Sequence, residues 1–505
     1  MRCTGISLSF LIVSLLSACG GGSGDSSPAT PGATQPLETT DGITDTDVID
    51  TDVIDTDVID TDVIDTDVID TDVIDTDVTD TDIGNTDTSS AAYVTPAGVV
   101  QCSVDDIKSR VDFDMRDYYI YYDQVPTLNL GSYDSGNALI KDLRVNPDIY
   151  SSVRDAATQT SLFAEGVTRG YGFGFSPSSD NVVRFFNVDI GSPGFNAGIL
   201  RGDEVITVND QPIADFSNDA LLDIFGPDST QTVTMSIRTR DEEPRTVSVT
   251  PEEYRWVTAS ASSRYTSESN PSLPVIGYLS VNVFLATTED EINAALQALE
   301  NAGGFDELII DLRYNGGGRT SVAQYLASVV GGAAVEGNVL LENKFNDKYA
   351  ESNNTVLFES VEKPLNVPRV FVLTTGSTAS SSEILINSLK PYIDVVVIGG
   401  ATGGKPFTSA PQTYCDKSIN AMRALRVNSA GVSVQGGIQP DCFIDDSWNT
   451  EANSTEDPLV ASALYYASEG GCPANIVADA GGLERKAPDG PTFQPEVLVN
   501  FAIEE

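Results

Sequence analysis

Asp311-Leu312-Arg313-Tyr314-Asn315-Gly316-Gly317-Gly318 closes a short apolar run that starts at Glu307, and it reads as a buried strand emptying into a glycine turn. Ser377-Thr378-Ala379-Ser380-Ser381-Ser382-Glu383 follows a second strand-like run, 369–374, and opens a helical pattern over 381–389. A third run, 395–398, leads through a glycine-rich turn to Gly403-Gly404-Lys405. Around these stretches strands and helices alternate: strand 275–284, helix 289–300, strand 307–313, helix 321–330. Short β runs joined by helices predict an α/β core with crossover connections.

Upstream, residues 165–255 change character. Short β-rich runs at 182–188, 204–208 and 232–237 surround one helical pattern at 218–225, which predicts a compact β module. Before it, 102–164 place Val111, Met115, Tyr118 and Tyr122 at helical spacing, interrupted by Pro126 and Pro147, and read as a helical N-terminal cap over 100–164. The fold class expected is therefore α+β and multidomain. The core is assigned 256–475 and the last segment, 476–505, a C-terminal tail.

The segment 19–92 is different again. It lacks aromatic residues, and the unit Asp-Thr-Asp-Val-Ile repeats from Asp45 through Asp75. With 18 Asp and no Lys or Arg over 41–87, it reads as an extended, self-repelling, disordered acidic linker. Alternating Asp side chains could supply oxygen ligands to calcium, weakly, because the glycine turn and terminal Glu of a dedicated calcium loop are missing.

Composition removes several function classes. Against 28 Lys plus Arg stand 75 Asp plus Glu, a formal net charge of −47, so nucleic acid is excluded as a partner. There is no histidine. A Ser-His-Asp triad, a Cys-His dyad and His-ligated metal are excluded with it, and no metal or organic cofactor is expected. A reactive serine here needs another base. Lysine can serve only if its usual pKa of about 10.4 falls by several units, through burial or neighbouring positive charge. Lys405, after an apolar run and before Pro406-Phe407, has such a setting, and Ser380 stands at a helix N-terminus, where developing negative charge is favoured.

The quoted stretches resemble the carboxyl-terminal processing, or tail-specific, serine peptidases, over roughly 110–410 and in that family's order: helical cap, PDZ domain, crotonase-like α/β core. In the family a small-residue run ending in Glu carries the nucleophile, and a Gly-Lys follows 25 residues later. With Glu383 fixing the register, the resemblance assigns Ser380 as nucleophile and Lys405, 25 residues on, as general base. It implies oxyanion donors from Gly317, Gly318 and the N–H of Ser381. The family often has a Gln four residues after the lysine. Ser409 holds that position here, and Ser409 or Thr408 is the candidate third member. A rival Ser-x-x-Lys, Ser360 to Lys363, precedes Pro364 in a loop and is the kind of match chance provides among nine lysines.

Within the β module, Gly172-Phe173-Gly174-Phe175, Ser192-Pro193-Gly194 and Gly202-Asp203-Glu204 resemble a circularly permuted bacterial PDZ domain. The resemblance implies that residues 172–175 present backbone N–H groups to a peptide with a free carboxyl end, which adds as a strand. The function expected is a serine endopeptidase acting on C-terminal regions of captured proteins. The alternative is a non-catalytic PDZ scaffold that binds protein tails.

Residues 1–18, with Arg2, an apolar run over 6–16 and Leu16-Ser17-Ala18-Cys19, resemble a bacterial lipoprotein signal peptide. That implies a lipid on Cys19 and a place in the cell envelope, anchored in the outer membrane and facing periplasm or surface. Export to an oxidising compartment leaves Cys102, Cys415, Cys442 and Cys472 for two disulfides. Of three pairings, the spacing favours Cys415 with Cys442 and Cys102 with Cys472.

Overall fold

The computed structural model describes residues 102–177, 182–226, 229–240 and 242–473, together with short strands at 94–95, 98–99 and 494–497. The expected signal peptide, Cys19 and the Asp repeats lie outside the described residues. In the cap, helix α1 (Val104–Asp117) starts at a capping box in which Ser103 and Asp106 exchange side-chain-to-backbone hydrogen bonds. It buries Ile107, Val111 and Met115 against α2 (Gly136–Leu143). The helix ends one residue before Tyr118, so the next buried ring is Tyr119 rather than the expected Tyr118 or Tyr122. Nor is the cap purely helical. Its strand β1 (Ser152–Asp155) pairs with a strand from far downstream, and the cap's apolar centre is completed by Phe407, Tyr414, Ile419 and Met422.

The β module is closed by β2 (Val167–Gly170) pairing with its last strand. Between them run β3 (Phe173–Pro177), β4 (Val183–Val188), β5 (Glu204–Val208), helix α3 (Asn218–Phe225), β6 (Val233–Arg238) and β7 (Arg245–Val249), and β8 (Glu252–Arg255) returns to β2. The sheet order is β7-β6-β5-β4-β3, which leaves β3 on an edge. Alternate residues Val233, Met235 and Ile237 of β6 face the module's centre, the period-two pattern of a half-buried strand.

The core continues with β9 (Ala259–Thr266), β10 (Ile276–Val281), α4 (Thr288–Asn301), β11 (Glu307–Asp311), α5 (Thr320–Gly331), β12 (Val339–Phe345), β13 (Asn354–Leu357), β14 (Arg369–Thr374), α6 (Ser381–Leu389) and β15 (Asp394–Gly399). Then come β16 (Phe407–Ser409), β17 (Gln412–Tyr414), β18 (Lys417–Asn420), β19 (Met422–Val427), β20 (Cys442–Phe443), α7 (Pro458–Glu469) and β21 (Gln494–Val497). The main sheet runs β20-β15-β14-β11-β10-β9-β21, parallel from β10 to β20. All five residues of β11 are buried, as a parallel strand covered on both faces requires. Ile310, Val372 and Val397 face the layer with α4, α5 and α6, while Ile309, Phe371 and Val396 face α7. β21 pairs with β9, so part of the expected C-terminal tail is a strand of the core sheet. A second sheet, β13-β12-β19-β16, and a third, β17-β18-β1, carry the chain from core to cap.

Both disulfides differ from the expected pairing. Cys102 bonds Cys415 and Cys442 bonds Cys472, with Cα separations of 5.7 and 5.6 Å. Cys415 sits in the turn between β17 and β18, the hairpin whose β18 pairs with the cap, where the start of α1 arrives. Cys442 is on β20 at the edge of the main sheet, and α7 returns across that sheet to bring Cys472 beside it.

Candidate active site

Parallel strands β11, β14 and β15 end on the same side of the sheet, and the turns that leave them hold the predicted residues, the usual place for a site in such a sheet. Thr378 donates its hydroxyl to the Leu312 carbonyl at 2.6 Å, Ser381 to Gly318 at 2.8 Å and Ser382 to Asn315 at 2.9 Å. These bonds lace the serine run to the glycine loop. The hydroxyl-rich composition around Ser380 is thereby explained as scaffolding, and the Ser380 hydroxyl itself donates to no group among the described residues.

Ser380 has φ 58° and ψ −116°, a left-handed conformation that costs a non-glycine residue of order 1–3 kcal/mol. It is 8% exposed at the head of α6. Its N–H donates to Glu383 Oε2 at 2.8 Å, and the same oxygen accepts the N–H of Lys405 at 2.8 Å. Glu383 Oε1 takes the Thr402 hydroxyl at 2.5 Å and the Gly404 N–H at 2.7 Å. One buried carboxylate therefore fixes the serine's turn against the lysine's loop. Burial raises the Glu383 pKa, and these four donors oppose that rise. The sequence offers Glu383 only as a register mark; its role as a clamp is legible only once the lysine loop is in place.

Lys405 borders a cavity walled by Leu340, Ile384, Pro406 and Val434. Burial, then the charges of Arg154 and Arg426, lower its pKa to about 8, against Asp148 and Glu383, which pull the other way. About a tenth of the lysine is then neutral at pH 7. Its ammonium lies 5.2 Å from the centre of the Tyr150 ring, and the Tyr150 hydroxyl donates to Gly403 O at 3.2 Å. Tyr150 comes from the cap, and nothing in the serine or lysine motifs signals it. The expected third members stand otherwise. Thr408 accepts from Arg426 at 2.8 Å, Ser409 pairs with Met422 within the second sheet, and no hydrogen bond joins either to the lysine amine.

Gly317 and Gly318 have φ of 109° and 141°. A Cβ on Gly317 would fall 2.7 Å from Ser380 Cβ, so only glycine permits this approach. The Gly317 N–H is already donated to Asn315 Oδ1 at 2.8 Å. Of the three expected oxyanion donors, Gly318 and Ser381 thus keep N–H groups that no described protein acceptor takes. Ser360 and Lys363 are exposed in the loop between β13 and β14.

In the β module Gly172 has φ 76°, and its missing Cβ leaves room for Ser192. Phe173 and Phe175, on edge strand β3, pack against Phe225 of α3 with ring centres 5.9 and 5.0 Å apart. The module meets the core beside the glycine loop. Arg201 donates to Asp446 and to the Tyr314 hydroxyl, both at 2.9 Å, and Phe186 stacks on Tyr314 at 5.0 Å. Arg313, in the same motif, is buried and paired with Asp311, Asp446 and Asp457.

Residues 275–444 match the family model described as Peptidase family S41. The chain is 25% identical over 314 residues to a "Probable CtpA-like serine protease" of Staphylococcus epidermidis, covering 61% of this chain and 59% of that protein. It is 25% identical over 323 residues to a "Carboxy-terminal-processing protease" of Bartonella bacilliformis, covering 61% and 68%. It thus spans about three fifths of the staphylococcal relative's length. A crystal structure described as an S41 protease of Bacteroides fragilis superimposes with a TM-score of 0.56 at 22% identity, over 71% of this chain and 97% of that one, and shares the mixed α/β multidomain fold.

Proposed function

Taking residues 275–444 as a peptidase family S41 domain, we propose that the protein is a serine endopeptidase with Ser380 as nucleophile and Lys405 as general base. The observation that carries this reading is the Glu383 clamp, whose one oxygen holds the backbones of both residues, next to a lysine whose pKa is lowered to about 8. Neutral Lys405 takes the Ser380 proton as Oγ attacks the peptide carbonyl. The N–H groups of Gly318 and Ser381 receive the oxyanion, and the lysine returns the proton to the departing amine. Water then repeats the sequence on the acyl-enzyme. The charged ammonium formed in each step is held against the Tyr150 ring.

The substrates proposed are extracytoplasmic proteins, cut in their C-terminal regions. Capture through a PDZ-like β module is supported by the place of β3 at the end of the sheet order beside α3 and by the Gly172 turn. Lipid anchoring through Cys19, a site in the outer membrane and weak calcium binding by the Asp repeats rest on the sequence of residues 1–92 alone. A fluorophosphonate probe followed by peptide mapping tests the assignment. An adduct on Ser380, absent after Ser380→Ala, supports it, and an adduct on another serine of the folded protein rejects it.

A further inference from the structure

Residues 148–155 form one wall of the lysine end of the site. Tyr150 lays its ring against the lysine amine. Three residues on, Val153 turns into the cap's apolar centre, so strand alternation sends Arg154 to the opposite face, where it is exposed. Among the charges around Lys405, Arg154 acts on it most strongly. The neighbouring carboxylates are committed elsewhere. Asp148 accepts from Tyr150 N, Ser151 N and the Ser151 hydroxyl. Asp155 accepts from Thr158 N and faces Lys417, while Glu383 holds its four donors. Among the described residues no carboxylate or carbonyl accepts a hydrogen bond from the Arg154 guanidinium, while its backbone pairs with Ser418 in the sheet. In a chain with 75 acidic residues against 28 basic ones, a guanidinium left open at the site's edge suits a carboxylate that comes from outside.

The direction of catalysis says which part of a substrate arrives there. A base that protonates the departing amine must stand on the amine's side of the scissile bond, so the substrate residues C-terminal to the bond run past Lys405. We propose that Arg154 binds a carboxylate of the substrate on the C-terminal side of the bond that is cut. The inference rests on the peptidase reading of Ser380 and Lys405. The carboxylate has two sources, the chain's own terminal group a few residues beyond the cut or an Asp or Glu side chain there.

The test uses labelled peptides identical before the cut. After it, one pair ends in a free carboxyl or an amide, and a second pair carries Glu or Gln. For the full folded protein, kcat/KM should favour the carboxylate member of at least one pair by about tenfold. Arg154→Gln should erase that preference and Arg154→Lys should restore most of it. Which pair shows the preference identifies the source. A ratio between two peptides at one pH is unaffected by any change in Lys405 protonation. Equal ratios in wild type and Arg154→Gln, or no preference in wild type, would overturn the proposal. Binding of the same peptides to Ser380→Ala with and without Arg154→Gln, read by fluorescence anisotropy, is independent of turnover. A carboxylate preference lost with Arg154 there supports the site even if catalysis by Ser380 fails its own test, and a preference unchanged there counts against it.

Discussion

A lysine acts as a base only when it has lost its proton, and for the proposed base Lys405 the lowered pKa sets where that happens. Below pH 8 the neutral fraction rises tenfold per pH unit, so kcat/KM for a peptide should climb with pH and level off above about 8. Arg154 and Arg426 hold that pKa down, so Arg426→Gln should move the rise to higher pH, and an unmoved profile would mean that another group titrates. Glu383→Gln replaces one acceptor oxygen by a donor facing N–H groups. It should cost about 1–3 kcal/mol of stability and lower turnover about a hundredfold, measured by chemical denaturation and peptide kinetics. The pairing of the two proposed residues is legible in the chain itself. The absence of histidine, together with the family resemblance and its 25-residue spacing, points to Ser380 and Lys405, and the structure brings the backbones of both onto Glu383. Tyr150 is not legible there, since it reaches the lysine from 255 residues upstream through the cap. Gly317 illustrates the limit differently. It stands where the motif puts it, yet the side chain of Asn315 takes its N–H, a partner two residues away that only the turn's geometry shows.

At the scale of elements, alternating apolar runs locate the core strands and helices to within a few residues, and 218–225, 369–374 and 381–389 have the expected limits. What periodicity misses is pairing across long separations: β1 with β18, and β21 with β9. Helix α7 carries legible signals in Asp457 as N-cap, Pro458 at its first position and Gly470 after its end. Spacing between cysteines takes no account of that helix, which is what carries Cys472 back to Cys442, and so it favours the wrong disulfide pairing. The observed Cys102–Cys415 bond ties the start of α1 to the hairpin that pairs with β1, the strand just after Tyr150. Cys415→Ser should therefore lower stability by about 2–5 kcal/mol and reduce peptidase activity with it. An unchanged melting temperature would show that the cap is held without this bond. Gly317→Ala should cut activity about a hundredfold while costing about 1–2 kcal/mol, because the new methyl group collides with Ser380 at a backbone angle alanine avoids.

Over the whole molecule, the charge is unevenly spread. The 18 Asp of 41–87 supply a large part of the −47, while Arg154, Lys405 and Arg426 gather at the site. Deleting residues 20–92 should leave the melting temperature and the turnover of small soluble peptides unchanged, since that segment has too little apolar surface to dock. A fall of several degrees would show that it packs on the folded body. The β module, docked through Arg201 and Phe186 onto Tyr314, stands directly against the loop that supplies Gly318. Cap, module and core thus meet around one proposed site whose chemistry would turn on a single amine. The most direct measurement is the turnover of a labelled peptide by Lys405→Met, with folding checked by circular dichroism. Methionine keeps much of the side chain's length and removes the base. A folded variant with no measurable turnover is the predicted result, and near-wild-type turnover would contradict the account.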